Sequence, residues 1–414
     1  MKLSKDFRAI DEKLIMYLMI LTPFIDLLNG VFDQVLITSI SPGVIIRSCI
    51  LIVIMYVYIT QKKENLIKLS LIISLFLFQM LMLSFIESIS IHEEIAFISK
   101  IYYNMFLFFI IYDLAKRDRI NFENYIDKLV FVNMIVIISI VITKAIGLGD
   151  GSYGDGIGYK GLYSGLNEIT SVCIITFPFV IYKLMREKKK VKYGVFSIIS
   201  ALSIINIGTK TSMFTLGLII VFFAYEVLFK DKKIINKFIF AVAIVLLIVI
   251  FKYFFWEEFN STILTRLQYF REELDFRTFL VSGRNITLKT AFEFWDNSII
   301  NLILGTGFTV GSSFIGSFLT GHGMIEMDFF DILYFYGIII FLIISIPLVK
   351  GMLKSIYIFV KSKILINKII SLVYLITIII SFLGGHILLS PLSGIYFVVI
   401  YGMIRQIDLK EVNL

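Results

Sequence analysis

The sequence predicts an all-α polytopic integral membrane protein. Three observations carry that reading. The chain of 414 residues is 58% hydrophobic and only 17% charged, with a mean hydropathy of +0.91, against roughly 45–50% and 25% in a soluble domain. Apolar runs of about 20 residues recur along it, each long enough to cross about 30 Å of hydrocarbon as a helix. The short-period alternation of a transmembrane β-barrel is missing.

About twelve spans are expected. They lie near residues 14–32, 42–60, 66–86, 95–114, 129–147, 167–184, 194–208, 212–229, 237–256, 326–349, 368–388 and 390–404. The first runs past Asp26 into "LLNGVF" without a small-residue cleavage site, so it is expected to stay as a membrane anchor. The whole chain reads as one membrane domain, 1–414. Residues 257–325 form its large extracytoplasmic loop, between spans nine and ten.

Charge sets the orientation. With the N-terminus inside, every inner segment is basic, from Lys2, Lys5, Arg8 and Lys13 through "KLMREKKKVK" at 183–192 to Arg405 and Lys410. The positive-inside rule then puts both termini in the cytoplasm. The net charge of +8 is accounted for by these loops, so nucleic acid is not an expected partner. Residue usage rich in Lys, Ile and Phe suggests an AT-rich bacterium, and the bacterial cytoplasmic (plasma) membrane is the expected location. Cys49 and Cys173 both fall in apolar spans, without metal-ligand spacing or a disulfide framework.

The exceptions to the charge rule point to function. Arg266, Arg271, Arg277, Arg284 and Lys289 all lie in the large outer loop, and Lys210 sits in "GTKTS" between spans seven and eight. Outer positive charge works against topology, so an anionic ligand is expected there. "TRLQYFREELDFRTF" and "NITLKTAFEFW" both have amphipathic helical spacing and are separated at Ser282-Gly283. Arg284 therefore falls at a helix N-terminus, where free backbone N–H groups and the helix dipole favour an anion. A guanidinium adds a forked grip suited to phosphate. Further on, "LGTGFTVGSSFIGSFLTGHGMIEMDFFDILYFYGIIIF" at 304–341 is glycine-rich before it re-enters the membrane. It carries His322, a candidate base, and Glu326, Asp328 and Asp331 at the mouth of the tenth span. His92 and His386 read as ordinary residues. "GLGDGSYGDGIGYKGLYSGLNE" at 147–168 reads as an irregular outer loop edging a substrate groove; it contains Asn167. No metal cluster and no nucleotide-binding glycine motif appear.

Taken in chain order, these pieces are "GLYSGLNE" at the mouth of the sixth span, the "GTKTS" turn, an outer loop with "SGR" and a tryptophan eleven residues on, "ILGTGF", and "GHGMIEMDFFDILYFYGIIIF". Over roughly 160–341, with the hydropathy of the whole chain, this order resembles the O-antigen ligase and Wzy-type O-antigen or capsular polysaccharide polymerase superfamily. The resemblance implies a GT-C-like membrane glycosyltransferase without metal or cofactor. Its donor would be a glycan on polyprenyl pyrophosphate, moved with inversion to an acceptor hydroxyl at the outer face, with arginines holding the leaving pyrophosphate.

By this resemblance Arg284 takes the place of the arginine in the family's "R…W" segment. Lys210 stands where relatives carry arginine. Arg266, Arg277, Asp328 and Asn167 are expected around the substrate, and His322 or Glu326 as the base. Gly323 replaces the asparagine of a ligase-like "H-N" pair, and "EMD" at 326–328 looks more like polymerases. The leading expectation is a polysaccharide polymerase. The alternatives are a ligase of finished glycan and a flippase of lipid-linked sugars. Membrane lipids, the lipid-linked oligosaccharide, a chain-length regulator and a flippase are the expected partners.

Overall fold

The computed structural model describes residues 10–35, 42–61, 63–84, 90–117, 120–152, 158–187, 190–230, 234–254, 256, 278, 281–295, 299–318 and 323–412. Among them the chain is helical almost throughout. The helices are α1 (Ile10–Gly30), α2 (Pro42–Gln61), α3 (Lys63–Leu83), α4 (Ile91–Lys116), α5 (Phe122–Ala145), α6 (Leu166–Arg186), α7 (Lys190–Ile207), α8 (Lys210–Tyr225), α9 (Ile234–Phe254), α10 (Arg284–Trp295), α11 (Ile299–Leu304), α12 (Phe308–Phe318), α13 (Asp328–Lys361), α14 (Leu365–Leu383), α15 (Pro391–Gln406) and α16 (Leu409–Val412). Ten of the described helical segments are long and apolar enough to cross a membrane. The two other expected spans fall on α9, of 21 residues, and on α15, of 16 residues. This is a multi-pass, all-α membrane protein.

Three local details differ from the sequence reading. Lys210 is not in a five-residue loop: it is the first residue of α8, only two residues after α7 ends. Thr209 makes that start possible, since its hydroxyl accepts the Ser212 N–H at 3.0 Å. The glycine-rich loop holds a small antiparallel pair, β1 (Asp150–Gly151) and β2 (Tyr159–Gly161). The tenth span continues to Lys361 as α13, a 34-residue helix broken at Gly337 (φ 74°, ψ 178°).

The chain forms two compact units. One comprises residues 16–46 and 121–273, the other residues 1–15, 47–120 and 274–414. In the first, α5, α6 and α7 are tied by buried hydrogen bonds. Asn133 Nδ2 donates to Thr176 Oγ1, and Ser200 Oγ donates to Asn133 Oδ1, both at 2.8 Å. Lipid supplies no hydrophobic drive between helices, so packing and such bonds hold them together.

In the second unit α4 packs on α15, with Phe108 stacked on Tyr401 at 4.2 Å. Asn104 Nδ2 donates to the carbonyls of Leu388 and Ser390. The break in α13 frees carbonyls that must be satisfied in a non-aqueous setting. The Gly305-Thr306-Gly307 strip does this: Thr306 N–H donates to Tyr334 O and Gly307 N–H to Phe335 O, both at 3.0 Å. A Cβ on Gly337 would lie 2.2 Å from Ile303 O, and one on Gly305 2.2 Å from Phe335 O. Only glycine permits that approach. The strip and the break fix where α13 begins its second segment, and so hold the first segment, which bears the site.

Candidate active site at the start of α10 and α13

A tight turn opens α10. Ser282 (φ 56°) and Gly283 (φ 83°) are both left-handed, and Gly283 N–H donates to Thr278 O at 2.9 Å. The turn makes Arg284 the first helical residue. Its side chain is 15% exposed, and Nη2 donates to Glu326 Oε2 at 2.8 Å. Its Nε–H is buried without a protein partner.

Glu326 itself has φ 60°. Asp331, one turn into α13, holds it there. The Asp331 carboxylate accepts the N–H of Ile325 at 2.9 Å and of Met327 at 3.0 Å, the residues on either side of Glu326. This is a capping arrangement in which an acid reaches back to the helix entrance.

Asp328, the first residue of α13, is fully buried. Its two oxygens accept four donors: the N–H groups of His386, Ile387 and Leu388, at 2.6, 2.8 and 2.8 Å, and Ser381 Oγ at 2.7 Å. The α14–α15 connection is thereby wrapped around the start of α13. A Cβ on Gly385 would lie 2.4 Å from Glu326 O, so the two loops touch backbone to backbone. His386, with φ 65°, is left with Nε2 4.0 Å from Glu326 Oε1.

Glu326 thus lies between two cationic or cationisable groups. Burial pushes its carboxyl up; interaction with the nearby His386 imidazole, with the Arg284 guanidinium, outweighs burial and lowers it from 4.5 to about 2. It is ionised across the physiological range. Among the described residues, Ser282, Glu326 and His386 are the non-glycine residues with positive φ, and all three belong to this cluster. Left-handed backbone in ordinary residues persists only where surroundings impose it, typically at functional sites.

A further carboxylate lies in the same unit. Glu94 of α4 is fully buried and caps α12, accepting Phe308 N–H at 2.7 Å and Thr309 N–H at 3.0 Å. The stacking of Phe97 on Phe308 at 4.0 Å continues that contact.

The structure brings Arg284 and Glu326 together. It turns Asp328 inward, onto the backbone of the 386–388 turn, and gives Asp331 the entrance of α13. Lys210 and Asn167 belong to the other unit, at the starts of α8 and α6. There Thr170 Oγ1 lies 3.5 Å from Thr209 Oγ1, and Asn167 O accepts Ser171 Oγ at 2.7 Å. His322, Arg266, Arg271 and Arg277 lie outside the described residues. The sequence reading took His386 as an ordinary residue and did not single out Glu94. Neither has a local signal, since each meets its partners only across long stretches of chain. Among the described residues, no three His, Cys, Asp or Glu side chains are grouped to hold a metal ion.

The profile of a family described as O-antigen ligase like membrane protein matches residues 9–269 and 265–412. No curated protein and no solved structure matches the chain.

Proposed function

Given that the chain belongs to the O-antigen ligase-like membrane protein family, we propose that it is a surface polysaccharide polymerase, an inverting glycosyltransferase that needs no metal. Its membership already makes it a membrane glycan-processing protein acting on lipid-linked glycan. The finer reading is that it joins repeat units carried on polyprenyl pyrophosphate, at the outer face of the membrane. The observation that carries it is Arg284: a guanidinium at the positive end of a helix, one N–H spent on Glu326 and its Nε–H without a protein partner. Such a position favours an anion twice over, and a fork of N–H groups suits a phosphate.

Negative charge grows on the pyrophosphate as the glycosidic bond breaks, so a fixed cation stabilises the transition state more than the ground state. Arg266, Arg277, Lys210 and Asn167 are proposed as substrate-binding residues, the first three for their positive charge. Asp328 supports the site from beneath; its carboxylate is already occupied by four donors. The "EMD" at 326–328 and Gly323 after His322 favour the polymerase over a ligase that would share the donor site.

The test is purified protein with a polyprenyl-pyrophosphate-linked repeat unit. The expected result is a ladder of longer products with release of polyprenyl pyrophosphate, at a rate unchanged by chelator. Transfer only to a foreign acceptor would make it a ligase. Movement across the bilayer without bond formation would make it a transporter. Activity abolished by chelator and restored by magnesium would overturn the cationic account of the leaving group.

A further inference from the structure

The geometry points to His386 as the base that takes the acceptor's proton, with Glu326 as its orienting and charge-stabilising partner. This rests on the transfer reaction proposed above. The opening observation is that Glu326 is a poor base. It is gripped by Arg284 at 2.8 Å, and interaction with His386 together with the Arg284 guanidinium holds its carboxyl down to about 2, whereas a base works best when it titrates near the working pH. Sign follows from direction: a carboxyl lowered in the folded protein keeps its ion-pair stabilisation above its ordinary 4.5 and loses it as pH falls towards about 2. Glu326 therefore does not titrate between pH 5 and 8, roughly where an imidazole does.

Among the described residues, His386 is the adjacent group able to fill that role. Its Nε2 is 4.0 Å from Glu326 Oε1, a separation that a carboxylate–imidazole pair can tighten once substrate is bound. Its place is imposed rather than incidental. The residue has φ 65°, an uncommon conformation for a histidine. Its N–H and the next two are drawn onto the buried Asp328 carboxylate, and its carbonyl accepts Ser393 Oγ at 3.0 Å. Three backbone hydrogen bonds to one carboxylate and a glycine at 385 serve to hold this turn against Glu326. Among the described residues, the ionisable groups around the ring include Glu326 on the facing loop, Asp328 and Asp331 on α13, and Arg284 on α10 across Glu326.

The step balances as follows. The acceptor hydroxyl oxygen attacks the anomeric carbon from the face opposite the leaving group. The bond from that carbon to the pyrophosphate oxygen breaks, and its electron pair leaves with the pyrophosphate, held by Arg284. The acceptor's proton passes to the His386 imidazole, and the ionised Glu326 stabilises the cation formed. Water then takes the proton, restoring the neutral ring.

The experiment is a pH–rate profile of glycan transfer by the full chain. Wild type, His386→Asn, His322→Asn and Glu326→Gln are compared, with binding of polyprenyl pyrophosphate measured in parallel. Asparagine tolerates a left-handed backbone and cannot take the proton. His386→Asn is expected to lower turnover roughly a hundredfold, to abolish the acid limb between about pH 5 and 8, and to leave polyprenyl pyrophosphate binding near wild type. Glu326→Gln keeps His386 in place and serves if the asparagine variant does not fold. It removes the charge that favours the imidazolium, so its acid limb should move to lower pH.

A His386→Asn enzyme with wild-type turnover and an intact acid limb would overturn the assignment. So would a Glu326→Gln enzyme whose limb does not move, or loss of the limb in His322→Asn alone. A wild-type protein that transfers no glycan would instead sink the reaction itself, and the inference with it.

Discussion

Arg284 opens α10 and Lys210 opens α8, and their surroundings could hardly differ more. Both put positive charge where the helix dipole is already positive, a poor arrangement unless an anion is bound. Around Lys210 the chain uses ordinary parts: a threonine cap at Thr209 and, among the described residues, glycines where the backbone turns left-handed, at 147, 149, 158, 161 and 208. Around Arg284 the left-handed positions include Ser282, Glu326 and His386, and a buried aspartate holds one of the loops. A chain that puts a glutamate and a histidine where glycine would be cheaper is holding those side chains in place. The difference separates a strained, charge-coupled cluster from a conventional helix start, and it argues that the chemistry belongs to the first.

The largest effect should come from removing what imposes the strain. Asp328→Ala would leave three backbone N–H groups and a serine hydroxyl without their acceptor in a fully buried place. Each buried donor left unsatisfied costs roughly 1–3 kcal/mol, so the variant should melt well below wild type in detergent and accumulate poorly. Wild-type stability and activity in Asp328→Ala would mean the 386–388 turn is held by something else.

Lys210→Ala should be milder, with transfer slowed roughly tenfold because a lysine offers a point charge without the guanidinium fork. A loss equal to that of an Arg284 substitution would break the comparison and give both cations the same weight.

The sequence made the helices legible because hydrocarbon thickness dictates runs of about 20 apolar residues. The entrance of α10 was legible for a local reason as well: Ser282-Gly283 is a helix-breaking pair directly before an amphipathic stretch. The break in α13 was not. Gly337 looks like any glycine in an apolar span, and its need becomes visible only when the Ile303–Gly307 backbone is seen packed against it.

His386 was illegible for the same kind of reason. Its partners, Asp328 and Glu326, lie about sixty residues earlier in the chain, and pattern reading weighs neighbours in sequence. Asp328 could be seen as a carboxylate at a span mouth, but not that its oxygens face backbone rather than substrate. Glu94, more than two hundred residues from the helix it caps, left no trace in the sequence pattern at all.

The central claim is that Arg284 stabilises the departing pyrophosphate. Its most direct test is the transfer rate with saturating lipid-linked donor for wild type, Arg284→Ala and Arg284→Lys, at matched membrane levels. Losing one such contact should cost on the order of 3 kcal/mol, or roughly a hundredfold in rate. Arg284→Lys keeps the charge but not the fork and should recover only part of that loss. An Arg284→Ala protein that forms product at the wild-type rate would contradict the account, and would leave the guanidinium as no more than the structural partner of Glu326.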